Sequence, residues 1–247
     1  MDDEISGDSM QRGEFAELVR QSNLDDVDLV LRAVEFNSTA MRGITRLSGE
    51  PFEDHCHAVA ALLLTEGQTA EVVAAGVLHD VNEDTDVTID EIARQFGGLI
   101  AFLVDGMSTW DIQPNGLDWR EKKLLFWSRF LCFAEYDPRL FSIKLADRLH
   151  NVRTWEPLPC MNRRRIAWET IDVLLPLAES IRLSPVGLSW MENLKTGVES
   201  EYRHDGNPFL FASGQVSLME EMLSRRSHHE VVDPFGALMR SEMHGTT

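Results

Sequence analysis

Cysteine is scarce and badly placed for its usual structural roles. Cys56, Cys132 and Cys160 are odd in number and widely separated, which excludes a disulfide framework and a paired-cysteine metal site and points to a reducing, cytoplasmic setting. Positive charge is also in deficit, with 23 Lys and Arg against 41 Asp and Glu and a formal charge of −18. Phosphate backbones and anionic lipids reward excess positive charge, so neither nucleic acid nor a membrane surface is an expected partner. No uninterrupted apolar run approaches the roughly 20 residues of a membrane span. The N-terminal MDDEISGDSM carries acids where a signal peptide needs bases. Alternating β-branched segments are few, which argues against a sheet.

What remains is enough apolar material, 43% of the chain, for one sizeable core. Its spacing of three and four residues is helical. Val27 to Phe36, Ala58 to Leu64 and Val72 to Leu78 read as helices. Thr88 reads as an N-cap with Glu91 as its reciprocal partner, opening a short helix that closes near Gly97, and a second short helix runs from Leu99 to Asp105. Residues 111–118 read as a polar loop, Trp119 to about Ala134 as a long helix, and Asp137-Pro138 as the start of the helix carrying IKLADRLHNV. Further helices cover about Met161 to Ile181 and Pro185 to about Tyr202, with a turn at residues 204–208 beyond them. The expected organisation is an acidic flexible tail (1–12), an all-α domain (13–200) and an extension of unknown role (201–247).

Chemistry concentrates in His55, the pair His79-Asp80, and Asp147. Imidazole and carboxylate suit a borderline or hard divalent ion, and adjacent ligands near one helix end can converge on it if other helices supply the rest. Glu83 and Asp84 follow His79-Asp80 by three or four residues, so one or both share its helical face and can act on a metal-bound water without ligating the ion. His-Asp alone is a common dipeptide, and a solvated helix cap is its plain reading. The second histidine upstream, the acids downstream and LADRLHN later in the chain lift it above that.

The segments RLSGEPFEDHCHAVAALL (46–63), AAGVLHDVNEDTDVT (74–88), FGGLIAFLVDGMS (96–108), IKLADRLHNVRT (143–154) and RIAWETIDVLLPLAESI (165–181) closely resemble the hydrolase domain of the RelA/SpoT homologues. These are HD-type, metal-dependent phosphohydrolases of the nucleotide alarmones (p)ppGpp. The resemblance implies an all-α HD-domain helical bundle with a helical C-terminal extension. It assigns His55, His79, Asp80 and Asp147 to an ion that is usually Mn²⁺, and Glu83 and Asp84 to activation of water. It places Arg46, Ser48, Lys144, Asn151 and Thr154 at the nucleotide pocket. The implied reaction cuts the bond from the ribose 3′ oxygen to pyrophosphate in a purine nucleotide, releasing pyrophosphate and GDP or GTP. His57 and His150, which flank site residues, read as supporting residues outside the metal sphere.

Met41, Leu47, Cys56 and Thr109 depart from that family's usual His, Lys, Pro and Lys. They keep open a second substrate class: an adenine analogue, NADPH or another phosphorylated nucleotide of a specialised pathway. A regulatory nucleotide-binding module with a vestigial metal site is the alternative outside enzymes, although it has no need of Glu83 and Asp84. The synthetase domain of the long relatives needs well over a hundred further residues, which the chain is not expected to supply. Residues 139–165 hold seven basic side chains against two acidic ones, a local reversal of charge, and about half of those are expected to be paired structurally. Oligomeric state is left open, a homodimer included.

Overall fold

The computed structural model describes residues 10–47, 49–109 and 119–202, with no side chains for 119–121, and these lie within one compact unit, residues 1–210. Ser48, the loop at 111–118 and the turn and tail beyond Tyr202 lie outside the described residues. Every regular element among the described residues is helical, and one isolated bridge, Thr45 to Pro51, closes a loop. The expected all-α architecture is therefore observed. No described helix is long and apolar enough to cross a membrane.

Helix α1 (Arg12–Arg20) opens with a capping box between Gln11 and Glu14 and buries Phe15, Ala16 and Val19. Helix α2 (Val27–Ala40) starts at Asp26, whose carboxylate accepts the Leu29 N–H at 2.9 Å. Helix α3 (Phe52–Glu66) ends at Gly67, whose φ of 83° is the left-handed conformation that glycine adopts without strain. Helix α4 (Ala70–Leu78) is buried from Ala70 to Leu78 except at Glu71, as befits a central helix.

A short α5 (Val81–Asp84) follows, then α6 (Ile89–Phe96), whose Thr88 Oγ1 accepts the Glu91 N–H at 3.2 Å. Helices α7 (Gly98–Met107), α8 (Trp119–Tyr136) and α9 (Leu140–Arg153) complete the central packing. The region read as one helix from Met161 to Ile181 is α10 (Cys160–Glu169), a π-helical turn (Thr170–Leu174) and α11 (Leu175–Glu179). Pro176 supplies the reason: it has no N–H for the carbonyl four residues back, and its ring crowds that carbonyl, so the preceding turn widens. Helix α12 (Pro185–Val198) is capped by Ser184, whose hydroxyl accepts the Gly187 N–H at 2.9 Å.

Helices α3, α4 and α9 form the middle of the bundle, with α2 and α7 against α4 and α12 against α9. The contact of α3 with α4 is close because of Gly76. A Cβ there would run into Leu63 Cδ1 and stand 3.5 Å from Ala60 Cα, so the glycine leaves the room that the Leu63 side chain fills between the two helices. Trp155 is 6% exposed and packs in the core. The three cysteines are free, as expected, and burial raises the Cys56 thiol to about 12, which keeps it unreactive.

One charged cluster is structural. Arg148 on α9 donates to Glu169 on α10 at 2.8 Å, with both side chains 5% exposed. Lys123 Nζ lies 3.0 Å from the other Glu169 oxygen, which also accepts Trp127 Nε1–H at 3.0 Å. Burial alone would raise the Glu169 carboxyl, but Lys123 and Arg148 hold it well below the ordinary range. Such a group adds stability that is complete above its unfolded value of about 4.3 and is lost as the pH falls through its folded value. Glu169→Gln leaves Arg148 buried without its counter-charge, so urea denaturation near neutral pH should show a loss of about 3–5 kcal/mol. The gap between variant and wild type should narrow on acidification.

Candidate functional site

The site forms where three segments meet: α3, the α4–α5 junction and α9. His55 lies in the first turn of α3, which begins six residues earlier than its apolar spacing suggested. The residues between Phe52 and His57 are polar by type yet turned into the interior, so periodicity alone passes over them. His79 is the C-terminal cap of α4 and Asp80 the N-terminal cap of α5. The Asp80 side chain makes no capping bond, so its carboxylate is free for other use, contrary to the plain reading of a helix cap. The N–H groups of Glu83 and Asp84 donate to the Asp80 carbonyl at 3.1 Å each, which fixes the acids one turn beyond His79-Asp80.

Ligand atoms of His55, His79 and Asp80 lie within 4.8 Å of one another. His55 Nε2 is 3.5 Å from Asp80 Oδ2 and 3.4 Å from Asp147 Oδ1. His79 Nε2 is 3.1 Å from Asp80 Oδ2 and 3.8 Å from Asp147 Oδ1. His79 Nε2 is nonetheless buried with no hydrogen-bond partner, although Asp80 is near enough. Its nearest oxygen is close in distance but poorly aligned for a hydrogen bond. On the far side of the ring, His79 Nδ1 is held 2.8 Å from the Gly76 carbonyl. A carbonyl only accepts, so Nδ1 carries the proton and Nε2 is left for coordination. Two imidazoles and two carboxylates so arranged fit a divalent cation, and they do not by themselves distinguish Mn²⁺ from its neighbours.

Burial would raise both carboxyls and lower both imidazoles. The outcome differs by residue. His55 stays below its ordinary value, while the carboxylates around His79 hold that imidazole well above its own. Asp147 is held well below the carboxylate range, first by Lys144, whose Nζ is 3.0 Å from Oδ2, and then by the histidines, and Asp80 is lowered by His79. Burial raises Glu83 and takes Asp84 to about 6, with Asp80 adding like-charge repulsion in each case. Glu83 also accepts the Thr109 N–H, which gives Thr109 a positioning contact where the family pattern led to an expected lysine.

The expected pocket residues converge on the same centre through hydrogen bonds. Asn151 Nδ2 donates to Asp147 Oδ1 at 2.6 Å, and Asn151 Oδ1 accepts from Arg46 Nη2. Arg46 Nη1 donates to Glu50 at 2.6 Å and to Thr154 Oγ1 at 3.2 Å. The loop presenting Arg46 closes by Arg46 N–H to the Glu50 carbonyl at 2.9 Å and turns at Gly49, whose φ of 91° requires glycine. Next to the acids is an open groove of about 650 Å³, bordered by Ala40, Ile44, Val87, Glu83, Asp84, Asp86 and Glu91. Ser48 is outside the described residues, so ten of the eleven expected site residues have described positions.

Two contributors carried no clear sequence signal as site parts: Glu50 and Gly76. His150 is in contact with His55, Nδ1 to Nδ1 at 2.8 Å, a supporting residue as expected. His57 is outside the cluster, stacked on Phe15 with ring centroids 5.6 Å apart. The local surplus of positive charge is largely spent within the fold: Arg139 pairs with Asp137, Lys144 with Asp147, Arg148 with Glu169 and Arg163 with Glu201.

An all-α bundle with a buried His/Asp cluster suited to a divalent ion, flanked by two acids in an open groove, defines the class. The chain belongs to the HD domain family, which matches residues 33–181, a span that contains all six of the cluster and acid residues. It is homologous to the RelA/SpoT proteins. It is 38% identical over 174 residues to a probable chloroplastic GTP diphosphokinase of Oryza sativa subsp. japonica, covering 68% of this chain and 23% of the relative. It is 40% identical over 153 residues to a probable guanosine-3′,5′-bis(diphosphate) 3′-pyrophosphohydrolase of Synechocystis, covering 62% of this chain and 20% of the relative. The chain therefore spans about a quarter or less of the length of these relatives. A solved structure described as a metazoan orthologue of SpoT that hydrolyses ppGpp matches at 22% identity with a TM-score of 0.49, over 72% of this chain and 96% of that one.

The raised His79 imidazole must shed its proton before Nε2 can bind a cation, so affinity should rise with pH. Calorimetric titration of Mn²⁺ into the protein between about pH 6 and 8 checks this. A dissociation constant that does not tighten toward higher pH would remove His79 from the donor set.

Proposed function

We propose that the chain is a metal-dependent phosphohydrolase that removes the 3′-pyrophosphate of a (p)ppGpp-like purine nucleotide in the cytoplasm. The observation that carries the reading is the cluster of His55, His79 and Asp80, with ligand atoms within 4.8 Å of one another, beside Asp147 Oδ1 at 3.4 and 3.8 Å from the two imidazoles and with Glu83 and Asp84 one turn away. The relatives' names divide between diphosphokinase and 3′-pyrophosphohydrolase. The hydrolytic name is favoured because the matched segment is the one that holds the cluster and its acids.

His55, His79, Asp80 and Asp147 would hold the ion, for which Mn²⁺ is the proposed identity. Bound there, it would supply Lewis-acid polarisation of water and of a phosphoryl oxygen. The remaining work falls to the chain's own side chains. Glu83, oriented by the Thr109 N–H, and Asp84, at the groove's edge, orient the attacking water and take up its proton. Their raised values place them nearer neutrality than ordinary carboxylates, as a proton acceptor requires, and a cation beside them favours the ionised form. Asn151 and Lys144 fix Asp147, while Arg46, joined to Asn151 and Thr154, stands at the phosphate side of the centre. In the reaction a water oxygen bonds to phosphorus as the bond to the ribose 3′ oxygen breaks, and that oxygen leaves carrying a proton. Ser48 and residues 201–247 enter the proposal only as a pocket residue and an extension of unassigned role.

A second substrate class is favoured by one observation. Leu47, 81% exposed beside Arg46, leaves this loop without a second cation and so suits a substrate with less charge at that end. Metal-loaded protein assayed on ppGpp, pppGpp, ppApp and NADPH separates the cases. Preferred release of pyrophosphate from ppGpp and pppGpp supports the first reading, and preference for ppApp or NADPH supports the second. Release of neither phosphate nor pyrophosphate from any of them sinks the enzyme reading and leaves a nucleotide-binding module. Glu83→Gln and Asp84→Asn should each lower kcat by about 10²–10⁴ while Mn²⁺ affinity stays near wild type.

A further inference from the structure

The two histidines of the cluster are held by partners of different kinds. His79 Nδ1 faces the Gly76 carbonyl, which accepts and never donates, so its tautomer is fixed. His55 Nδ1 faces His150 Nδ1 at 2.8 Å, and an imidazole nitrogen does either. One proton must lie between those two nitrogens, and it belongs to one ring or the other.

Each assignment has a consequence at the cluster. If the proton is on His150, His55 must carry its own on Nε2, which then points toward Asp147 Oδ1 at 3.4 Å and Asp80 Oδ2 at 3.5 Å. Without a cation that arrangement relieves the two carboxylates, and His150 Nε2 is a bare lone pair. The structure agrees with it to this extent: His150 Nε2 is buried and has no hydrogen-bond partner. If the proton is on His55 Nδ1, then His55 Nε2 is a lone pair aimed at the centre, ready to coordinate, and His150 carries its proton on Nε2.

We propose that His150 is a positioning residue that lets His55 exchange tautomers, holding it as the Nε2–H form without a cation and as the Nδ1–H form with one. This rests on the reading of the cluster as a metal centre. The proton count balances: both rings are neutral in both states, His55 releases its Nε2 proton to solvent as the cation enters and takes the shared one, and His150 gives up the shared one and takes one from solvent at its otherwise unpartnered Nε2. The placement follows from the helix. His150 is three residues after Asp147 on α9, so one helix presents a ligand and the partner of another ligand on a single face. Both rings are nearly sealed, His55 at 1% and His150 at 2% exposure, so His150 itself is the group against His55 Nδ1 and the exchange with solvent takes place through local opening of the packing. His79 needs no such partner, because its N–H is satisfied by Gly76 whether or not a cation is bound.

The test uses the full chain labelled with ¹⁵N, long-range ¹H–¹⁵N imidazole spectra, and Zn²⁺ as a diamagnetic probe. In the wild type, His55 should change from the Nε2–H to the Nδ1–H pattern on Zn²⁺ addition, with His79 showing Nδ1–H in the loaded state. By calorimetry, His150→Phe should weaken Zn²⁺ and Mn²⁺ binding about 10–100-fold. His150→Asn, whose amide reaches the Nδ1 position and can accept or donate there, should stay within a few-fold of wild type. A thermal melt of cation-free His150→Phe checks that it folds, and if it does not, the wild-type spectra decide alone. Zn²⁺ binding with His55 in the same tautomer before and after, or equal affinity in folded His150→Phe, overturns the proposal and leaves the metal centre standing. Failure of the wild type to bind Zn²⁺ or Mn²⁺ overturns the metal centre itself, and this proposal with it.

Discussion

Two carboxylates and two imidazoles share a largely buried junction of three segments, and the charge balance of that junction constrains the residues around it. Asp147 and the histidines are buried, and a buried carboxylate is costly unless opposite charge and hydrogen bonds compensate it. Lys144 and Asn151 provide part of the compensation for Asp147 from the same helix. Asp80 has no such fixed partner and faces the two histidines. The helices must come close enough for these groups to meet, and Gly76, by omitting a side chain against Leu63 and Ala60, allows that approach while its carbonyl orients His79. A packing requirement and a chemical one are thus met by the same residue.

Comparison with the second buried charged cluster clarifies which one has work to do. Around Glu169, both carboxylate oxygens are answered by Arg148, Lys123 and Trp127. The circuit is closed by side chains of fixed charge, so nothing further is needed and the cluster serves stability. Around Asp80 the circuit is open: His79 Nε2 has no hydrogen bond, and the carboxylate makes no cap. Burial and charge are common to both clusters. Only the incomplete one offers donors to a ligand.

Much of the fold was legible in the sequence because core-facing apolar residues repeat at helical spacing in α2, α4 and α7, and because Thr88 and Pro185 mark helix starts by well-understood chemistry. The reading failed where buried residues are polar. Phe52 to His57 begins α3 but carries the site's chemistry in place of apolar periodicity, and the π-helical turn before Pro176 depends on a missing N–H that no apolar pattern records. The identities of the site residues came from local motifs and their resemblance, whereas their connections were not legible. Arg46 reaches Asn151 across more than a hundred residues of chain, and Glu50 enters only because the Gly49 turn folds it back on Arg46. Long-range pairing of this kind is set by packing, which a single sequence does not display.

The distribution of charge also bears on how a phosphorylated substrate would be received under the proposed function. The overall charge of −18 is not locally reversed to the extent that the basic residues at 139–165 suggest, because at least four of those seven are matched to acids. Near the centre, Lys144 is matched by Asp147 and Arg46 by Glu50, while Glu83, Asp84, Asp86 and Glu91 edge the groove. A nucleotide arriving before the ion would meet these carboxylates unscreened, at distances where like charges repel strongly outside bulk water. With the ion in place the same carboxylates are partly neutralised, and Arg46 has a phosphate to exchange for Glu50. Under the proposed function the acidity of the groove would therefore order the assembly, ion first and nucleotide second, and the cation would belong to the substrate's binding site as well as to its chemistry.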